Sequence, residues 1–231
     1  MILSIETSTS ACSVSLHQVQ SGEVRVYLEL QIEKSHSSFL TILLDQALRF
    51  GGVDMRELKA IVVSSGPGSY TGLRIGSSAA KGLCYALEIP LIGVNALEAM
   101  RAEVNSYYRD KDDVLLCPMI DARRMEVYSA IYDSKGYCIK EPHPLIVKEN
   151  SFDEFKDKDL LFFGNGSLKC QKVLTDKRFR FLEGIVPTAK WLGKIGVKKY
   201  HARQYEDVAY FEPDYLKEFM TTVPKAKLNA E

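Results

Sequence analysis

A glycine-rich loop is the feature of this chain whose residue types and spacing could do chemistry. The apolar run AIVV at residues 60–63 leads into the segment 66–76, GPGSYTGLRIG. An apolar run that ends at Gly-Pro-Gly predicts a strand followed by a tight loop, and the backbone N–H groups of such loops can cradle a phosphate. The spacing does not match the P-loop, because no Lys-Ser/Thr pair follows Gly72, nor the dinucleotide fingerprint, because three residues separate Gly68 from Gly72. Both common nucleotide-binding motifs are therefore excluded.

The residues after this loop predict the helix that must position it. Small side chains recur at every fourth place, at Gly72, Gly76, Ala80 and Cys84. This spacing places them on one face of a helix over 72–87, where another backbone can come close. The neighbour could be the chain's own sheet or a partner's helix.

The composition excludes several classes of protein. Lys plus Arg and Asp plus Glu number 30 each, so no overall field draws the chain onto nucleic acid or a membrane. The N-terminal MILSIETSTS lacks the basic start of a signal peptide, and no apolar stretch approaches the roughly 18 residues of a membrane span. The five cysteines show no CxxC spacing, which argues against a disulfide framework and a zinc site alike. We expect a cytoplasmic protein.

The hydrophobic periods predict the element order βββαβαβα twice, at an offset of about 115 residues. Two such units predict an α/β fold with two subdomains around a cleft. We place the boundary in the charge run RDKDD, which gives an N-terminal subdomain at 1–110 and a C-terminal one at 111–231, with a frayed tail from 221. The predicted strands are 1–6, 11–17, 24–31, 60–65, 90–94, 114–120, 125–132, 137–147, 159–163 and 179–182, and the predicted helices are 36–50, 72–87, 95–108, 152–156, 166–175 and 188–204.

Four motifs, in order along nearly the whole chain, carry a family resemblance. They are ETSTSACSVSL at 6–16, GPGSYTGLRIG at 66–76, DARRMEVY at 121–128 and PDYL at 213–216. Together they resemble the bacterial TsaB family, which is paralogous to the enzyme TsaD. Both families belong to the actin/Hsp70/sugar-kinase (ASKHA) superfamily, so the resemblance implies that duplicated fold.

The resemblance also implies where a nucleotide would bind, because two hairpin turns of this fold approach the phosphates. The alternatives stay open: the first turn can be an ordinary hairpin turn, and the second can be held by a local Asp121–Arg123 pair. The second turn lacks the glycine usual in ATPases of this fold, which weakens any claim of ATP hydrolysis by the chain alone. We expect no tightly bound cofactor, with ATP or ADP held at most within a complex. The candidate nucleotide or anion ligands are Thr7, Ser8, Thr9, Gly66, Gly68, Ser69, Arg123 and Arg124.

The helix at 36–50 is apolar over an arc wider than one sheet-facing stripe needs. A leftover apolar face is typical of a protein partner. The resemblance implies that this helix and the one at 72–87 pair with the same helices of TsaD or of a second TsaB chain. The candidate interface residues are His36, Phe39, Leu43, Phe50, Gly72, Gly76 and Ala80.

Metal chemistry has few candidate ligands in this sequence. No two histidines lie three or four residues apart, and the two metal-binding histidines of TsaD correspond here to Ala96 and Met100. Neither side chain suits a hard or borderline metal. We therefore predict no metal site and no catalytic residue.

The resemblance implies a non-catalytic subunit that pairs with TsaD for threonylcarbamoyl transfer to the adenosine 3′ of the anticodon in tRNAs that read ANN codons. TsaE is a further expected partner, a homodimer is expected when the chain is alone, and tRNA is expected to bind only through the complex. One alternative is a small-molecule kinase in which Asp121 or Glu6 holds Mg²⁺. A peptidase is a second, although the sequence shows no Ser/His or Cys/His pairing.

Overall fold

The computed structural model describes residues 1–31, 36–108 and 114–217, apart from the side chain of His36. The predicted boundary at 110–113 and the predicted tail from 221 lie outside the described residues. The described chain forms two five-stranded mixed sheets. The strands are β1 (Ile2–Glu6), β2 (Ala11–His17), β3 (Val24–Gln31), β4 (Ala60–Gly66), β5 (Leu91–Asn95), β6 (Val114–Asp121), β7 (Glu126–Tyr132), β8 (Cys138–Ile146), β9 (Asp159–Phe163) and β10 (Phe179–Leu182).

The two sheets repeat one topology. The first has the order β3-β2-β1-β4-β5 and the second the order β8-β7-β6-β9-β10. In each, the first strand of the unit pairs antiparallel with the second and parallel with the fourth. Glu6 and Asp121 end the corresponding central strands. The predicted duplication is thereby confirmed.

Four α-helices accompany the sheets: α1 (His36–Gly51), α2 (Tyr70–Leu87), α3 (Ala96–Tyr107) and α4 (Ala189–His201). Their ends agree with the predicted ones to within about three residues, which is the usual scatter of helix boundaries. The helix predicted at 166–175 is wrong. Only a short 3₁₀ helix, Leu168–Lys172, forms there.

The helices place the core on both faces of the first sheet. α1 and α2 cover one face with an apolar cluster that includes Ile5, Val14 and Val63. α4 covers the other face, together with Ile2 and Val62. α3 packs its apolar side against the second sheet, so it links the two halves.

The boundary predicted at residue 110 assigns α4 to the C-terminal subdomain, but α4 packs on the first sheet. Although it follows the second sheet in sequence, α4 packs on β1, β2, β4 and β5 of the first. Gly193 makes this approach possible, because a Cβ there would lie 2.0 Å from Nε2 of His17. The chain beyond α4 stays with the first sheet too, since Glu206 N–H donates to the Leu91 carbonyl at 2.9 Å.

Candidate functional site

The turn between β1 and β2 is buried beneath the glycine-rich loop. Thr7, Ser8 and Thr9 are all buried. Ser69 N–H donates to the Ser8 carbonyl at 2.6 Å, and the Thr7 hydroxyl donates to the Gly72 carbonyl at 2.8 Å. The structure thus brings together two segments of the predicted nucleotide site that lie about 60 residues apart in sequence.

Glycine is required for this contact. A Cβ at Gly68 would lie 2.2 Å from the Ser8 carbonyl oxygen, and one at Gly72 would lie 2.0 Å from the Thr7 carbonyl oxygen. Gly66, with φ of +100°, sits in a backbone conformation that side chains disfavour. The loop therefore depends on its glycines for close approach as well as for its conformation.

This packing corrects the prediction that Gly72, Gly76 and Ala80 belong to a partner interface. All three are buried within the chain. A Cβ added at Gly76 would lie only 2.3 Å from the Thr7 hydroxyl oxygen. Ala80 packs in the apolar cluster that α1 and α2 form with the first sheet. The chain's own turn and core occupy this helix face, so no partner helix can reach it.

Glu6 precedes the turn and is fully buried. Its carboxylate accepts the Ser8 N–H. Burial raises the pKa of Glu6, and the hydrogen bond from the Ser8 N–H offsets only part of that rise. One carboxyl oxygen is thus engaged by its own turn, whereas Oε2 is buried without a hydrogen-bond partner among the described residues.

The second turn, between β6 and β7, presents two arginines. Arg123 and Arg124 both have left-handed backbone conformations, with φ of +69° and +50°, and both side chains are exposed. Neither guanidinium makes a hydrogen bond or ion pair with another described residue. The turn therefore presents two cations that an anion could engage.

A side-chain pair between Asp121 and Arg123, one of the two alternatives for this turn, does not form. The Asp121 carboxylate instead accepts the backbone N–H of Arg123 at 2.8 Å and pairs with Lys169. Asn165 Oδ1 accepts the Asp121 N–H at 3.0 Å. Sequence reasoning missed Lys169 and Asn165, because residues more than 40 positions away leave no local signal.

The segment that contains the PDYL motif connects the two loops. Asp214 N–H donates to the Ser65 carbonyl at 2.7 Å. The Tyr215 ring lies 4.6 Å from that of Tyr70, measured between centroids, and Lys217 pairs with Glu126 beside the second turn. Residues 214–217 therefore contact both the region of the glycine-rich loop and the residues beside the second turn.

The outward face of α1 differs from the prediction. Leu43 is only 7% exposed and packs in the core, so its assignment to an interface is wrong. Phe39 is half-buried. Phe50 is 69% exposed, as predicted for an outward residue, and Ile42, which sequence reasoning missed, is 52% exposed.

Ala96 and Met100, at the places of the TsaD histidines, are both fully buried in the core between α3 and the second sheet. Among residues 1–31, 36–108 and 114–217, no group of three or more His, Cys, Asp or Glu side chains could hold a metal. No helix within those ranges is long and apolar enough to cross a membrane.

One Ser/His pair escaped the sequence analysis. The Ser15 hydroxyl lies 2.9 Å from Nε2 of His17. The two residues are two positions apart in β2, so their side chains share one face of the strand. Both are fully buried beneath α4, and the Ser15 hydroxyl also donates to the Ala189 carbonyl. This pair holds α4 on the sheet and has no access for a peptide.

Two like-ordered mixed sheets, each with a hairpin turn after its central strand, define an ASKHA-type protein. A crystal structure from Pseudomonas aeruginosa, of an uncharacterized protein with similarity to peptidase YeaZ, shares this fold with a TM-score of 0.79. The two are 24% identical, over 94% of this chain and 99% of that one.

Sequence comparison specifies the family. The family model described as TsaD, tRNA N6-adenosine threonylcarbamoyltransferase, matches residues 30–229. The tRNA threonylcarbamoyladenosine biosynthesis protein TsaB of Bacillus subtilis is 30% identical over 94% of this chain and 93% of its own length. Its counterpart in Escherichia coli is 36% identical over 64% of this chain and 62% of its own. The chain belongs to the TsaB family.

Proposed function

We propose that this chain is the non-catalytic subunit that pairs with TsaD in the synthesis of threonylcarbamoyladenosine on tRNA. TsaB relatives that are named for this biosynthesis, and that match over most of the chain, support the process. The pairing is the finer part of the proposal. TsaE is the further partner, and tRNA engages the assembled complex.

The observation that carries the pairing is a set of exposed or half-buried apolar side chains on the neighbouring helices α1 and α2. At 100° per residue, Phe39, Ile42 and Phe50 fall within about 80° of one another on one flank of α1. On the neighbouring α2, Tyr85 is 84% exposed. We call these four residues the pairing face. Aromatic and large aliphatic side chains left outside a filled core are typical of interface anchors.

The non-catalytic role is supported by the sites where catalysis would be expected. Ala96 and Met100, which the family resemblance aligns with the metal-binding histidines of TsaD, are apolar and buried. Glu6 is engaged by Ser8, and Asp121 is paired with Lys169. One oxygen of Glu6 and the carboxylate of Asp121, the two groups that a kinase of this fold would use for Mg²⁺, therefore have partners within the chain.

The experiment compares single charged substitutions in the complex with TsaD. Phe50→Glu and Tyr85→Glu place a charge on the pairing face, and truncated interface anchors typically cost about 2–4 kcal/mol of binding. Tyr137→Glu is the matched control, because Tyr137 is 71% exposed in the second half of the chain. Leu43→Glu is unsuitable, since it would disrupt the core.

Each variant is co-purified with tagged TsaD and then assayed for tRNA modification in the reconstituted system. We expect Phe50→Glu and Tyr85→Glu to keep a near-native Tm, to lose TsaD and to stop supporting modification, while Tyr137→Glu behaves as the wild type. Intact pairing in both pairing-face variants would show that the interface lies elsewhere. Steady ATP turnover by the pure chain, abolished by Asp121→Asn, would favour the kinase alternative.

A further inference from the structure

A cleft of about 250 Å³ lies between α3 and the hairpin formed by β7 and β8. Asn95, Glu98 and Arg101 line it from the α3 side, and Tyr132, Cys138 and Glu141 line it from the second sheet. It is smaller than the roughly 300–1,000 Å³ of pockets for drug-sized ligands. A small metabolite is therefore the largest ligand that it suits.

Arg101 is the unusual group in this cleft. Its side chain is only 15% exposed, and the nearest carboxylate oxygen, Oε1 of Glu98, lies 3.7 Å from its Nη2. Its Nε is buried without a hydrogen-bond partner, and the guanidinium donates no hydrogen bond to any residue in the described ranges. A buried cation with unused donors is costly unless something pairs with it.

The surroundings hold this guanidinium in place. Its carbon lies 5.5 Å from the centroid of the Tyr132 ring, within reach of a cation–π interaction. The turn between β7 and β8 passes close beside it at Gly136, where a Cβ would lie 2.6 Å from Nη1. The hairpin is thus shaped around a fixed guanidinium, and its unused donors are available to a ligand in the cleft.

We propose that this cleft binds a small α-amino acid, with its carboxylate on Arg101 and its ammonium group facing Glu98 and Glu141. An arginine fork fits a carboxylate or a phosphate equally well. The two glutamates decide between them, because a phosphate dianion would meet two negative charges and a single positive one. An α-amino acid is a zwitterion, so its carboxylate would lie at the positive charge of Arg101 and its ammonium group at the negative charges of Glu98 and Glu141. This site is independent of the pairing with TsaD.

Cys138 supplies a reporter of occupancy, because it lines the cleft and is the one exposed thiol among the five cysteines. A maleimide should therefore label the native protein at this position alone. The probes are the twenty protein amino acids, small carboxylic acids without an amino group, alkylamines and inorganic phosphate. We expect one or a few small amino acids to slow labelling in a saturable manner, and the other three classes to leave its rate unchanged.

Arg101→Gln removes the charge, and hydrogen bonds to charged groups are worth enough that affinity should fall about 10- to 100-fold. Arg101→Lys keeps the charge without the planar fork and should weaken binding less. Arg49→Gln is the matched control, since Arg49 is 71% exposed on α1, outside the cleft. Melting curves establish that each variant is folded.

Three results would overturn the proposal, and the first two come from the wild-type protein alone. One is the absence of saturable protection by any amino acid. Another is equal protection by phosphate or by acids that lack an amino group. The third is protection that persists unchanged in a folded Arg101→Gln variant, which would assign Arg101 a purely structural role.

Discussion

The contact between α2 and the first turn can be tested by adding a single methyl group. In Gly72→Ala, the new Cβ would lie 2.0 Å from the Thr7 carbonyl oxygen, whereas ordinary contact begins at 3.4 Å. The helix or the turn must move by roughly the difference between these distances. That movement also strains the hydrogen bond from the Thr7 hydroxyl to the Gly72 carbonyl.

The magnitude follows from these two effects. Overpacking a well-packed site costs about 1–3 kcal/mol, and a buried hydroxyl left without its partner costs about 1–3 kcal/mol more. For a chain of this size, each kcal/mol lowers Tm by about 2–4 °C. Alanine regains up to about 1 kcal/mol of helix propensity at this position, so we expect Gly72→Ala to lower Tm by at least about 2 °C.

Gly82 provides a matched control in the same helix. It is exposed on α2, and nothing lies within 4 Å of a Cβ added there. Alanine is favoured over glycine by about 1 kcal/mol within a helix, so Gly82→Ala should raise Tm slightly. Thermal unfolding of the two variants is followed by circular dichroism. The substitution is the same at both positions, but the expected change in Tm is negative for Gly72→Ala and positive for Gly82→Ala.

A Gly72→Ala protein that melts at or above the wild-type temperature would refute the packing argument. Equal destabilisation by both substitutions would also refute it, because the effect would then come from the helix and not from the turn. A thermal scan of three proteins is sufficient to decide.

Two further predictions concern buried titratable groups. Burial lowers the pKa of His17 below its ordinary 6.5, so the unfolded chain takes up a proton first as the pH falls. The contribution of His17 to stability should therefore drop from pH 7.5 to 5.5. Urea titrations at the two pH values should show less loss of stability in His17→Gln than in the wild type, and an equal or greater loss would count against this role. Burial raises the pKa of Glu6 above 4.5, so the folded chain holds that proton to higher pH, and the contribution of Glu6 to stability should fall as the pH rises from 4.5 through the folded pKa. Glu6→Gln should therefore be more stable than the wild type at neutral pH, and a lower midpoint in urea would contradict the assignment.

The elements and their order could be predicted from the sequence because they depend on local patterns. The alternation in β3 and the wide apolar arc of α1 are properties of short windows, and the structure reproduces both elements. The glycine-rich loop ends β4 as predicted. The duplication followed from comparing two such patterns along one chain.

The site residues could be predicted only in part. The residues of the first turn and of the glycine-rich loop were identified from their motifs, and the structure places them in contact. Whether they bind a nucleotide stays a prediction. Asn165 and Lys169, which hold Asp121, carry no motif and became visible only through their distances to it.

The sequence by itself determined where the strands and the four α-helices form, but not the 3₁₀ helix at Leu168–Lys172, and it determined which helix faces are apolar or small. The tertiary structure alone decided what each face meets. It buried Leu43 and left Ile42 exposed on the same apolar helix, turned Gly72 toward the chain's own turn, returned α4 to the first sheet and buried the Nε of Arg101 without a hydrogen-bond partner. The physical reason is that secondary structure follows from neighbours along the chain, whereas burial and pairing follow from residues that folding brings together from distant positions.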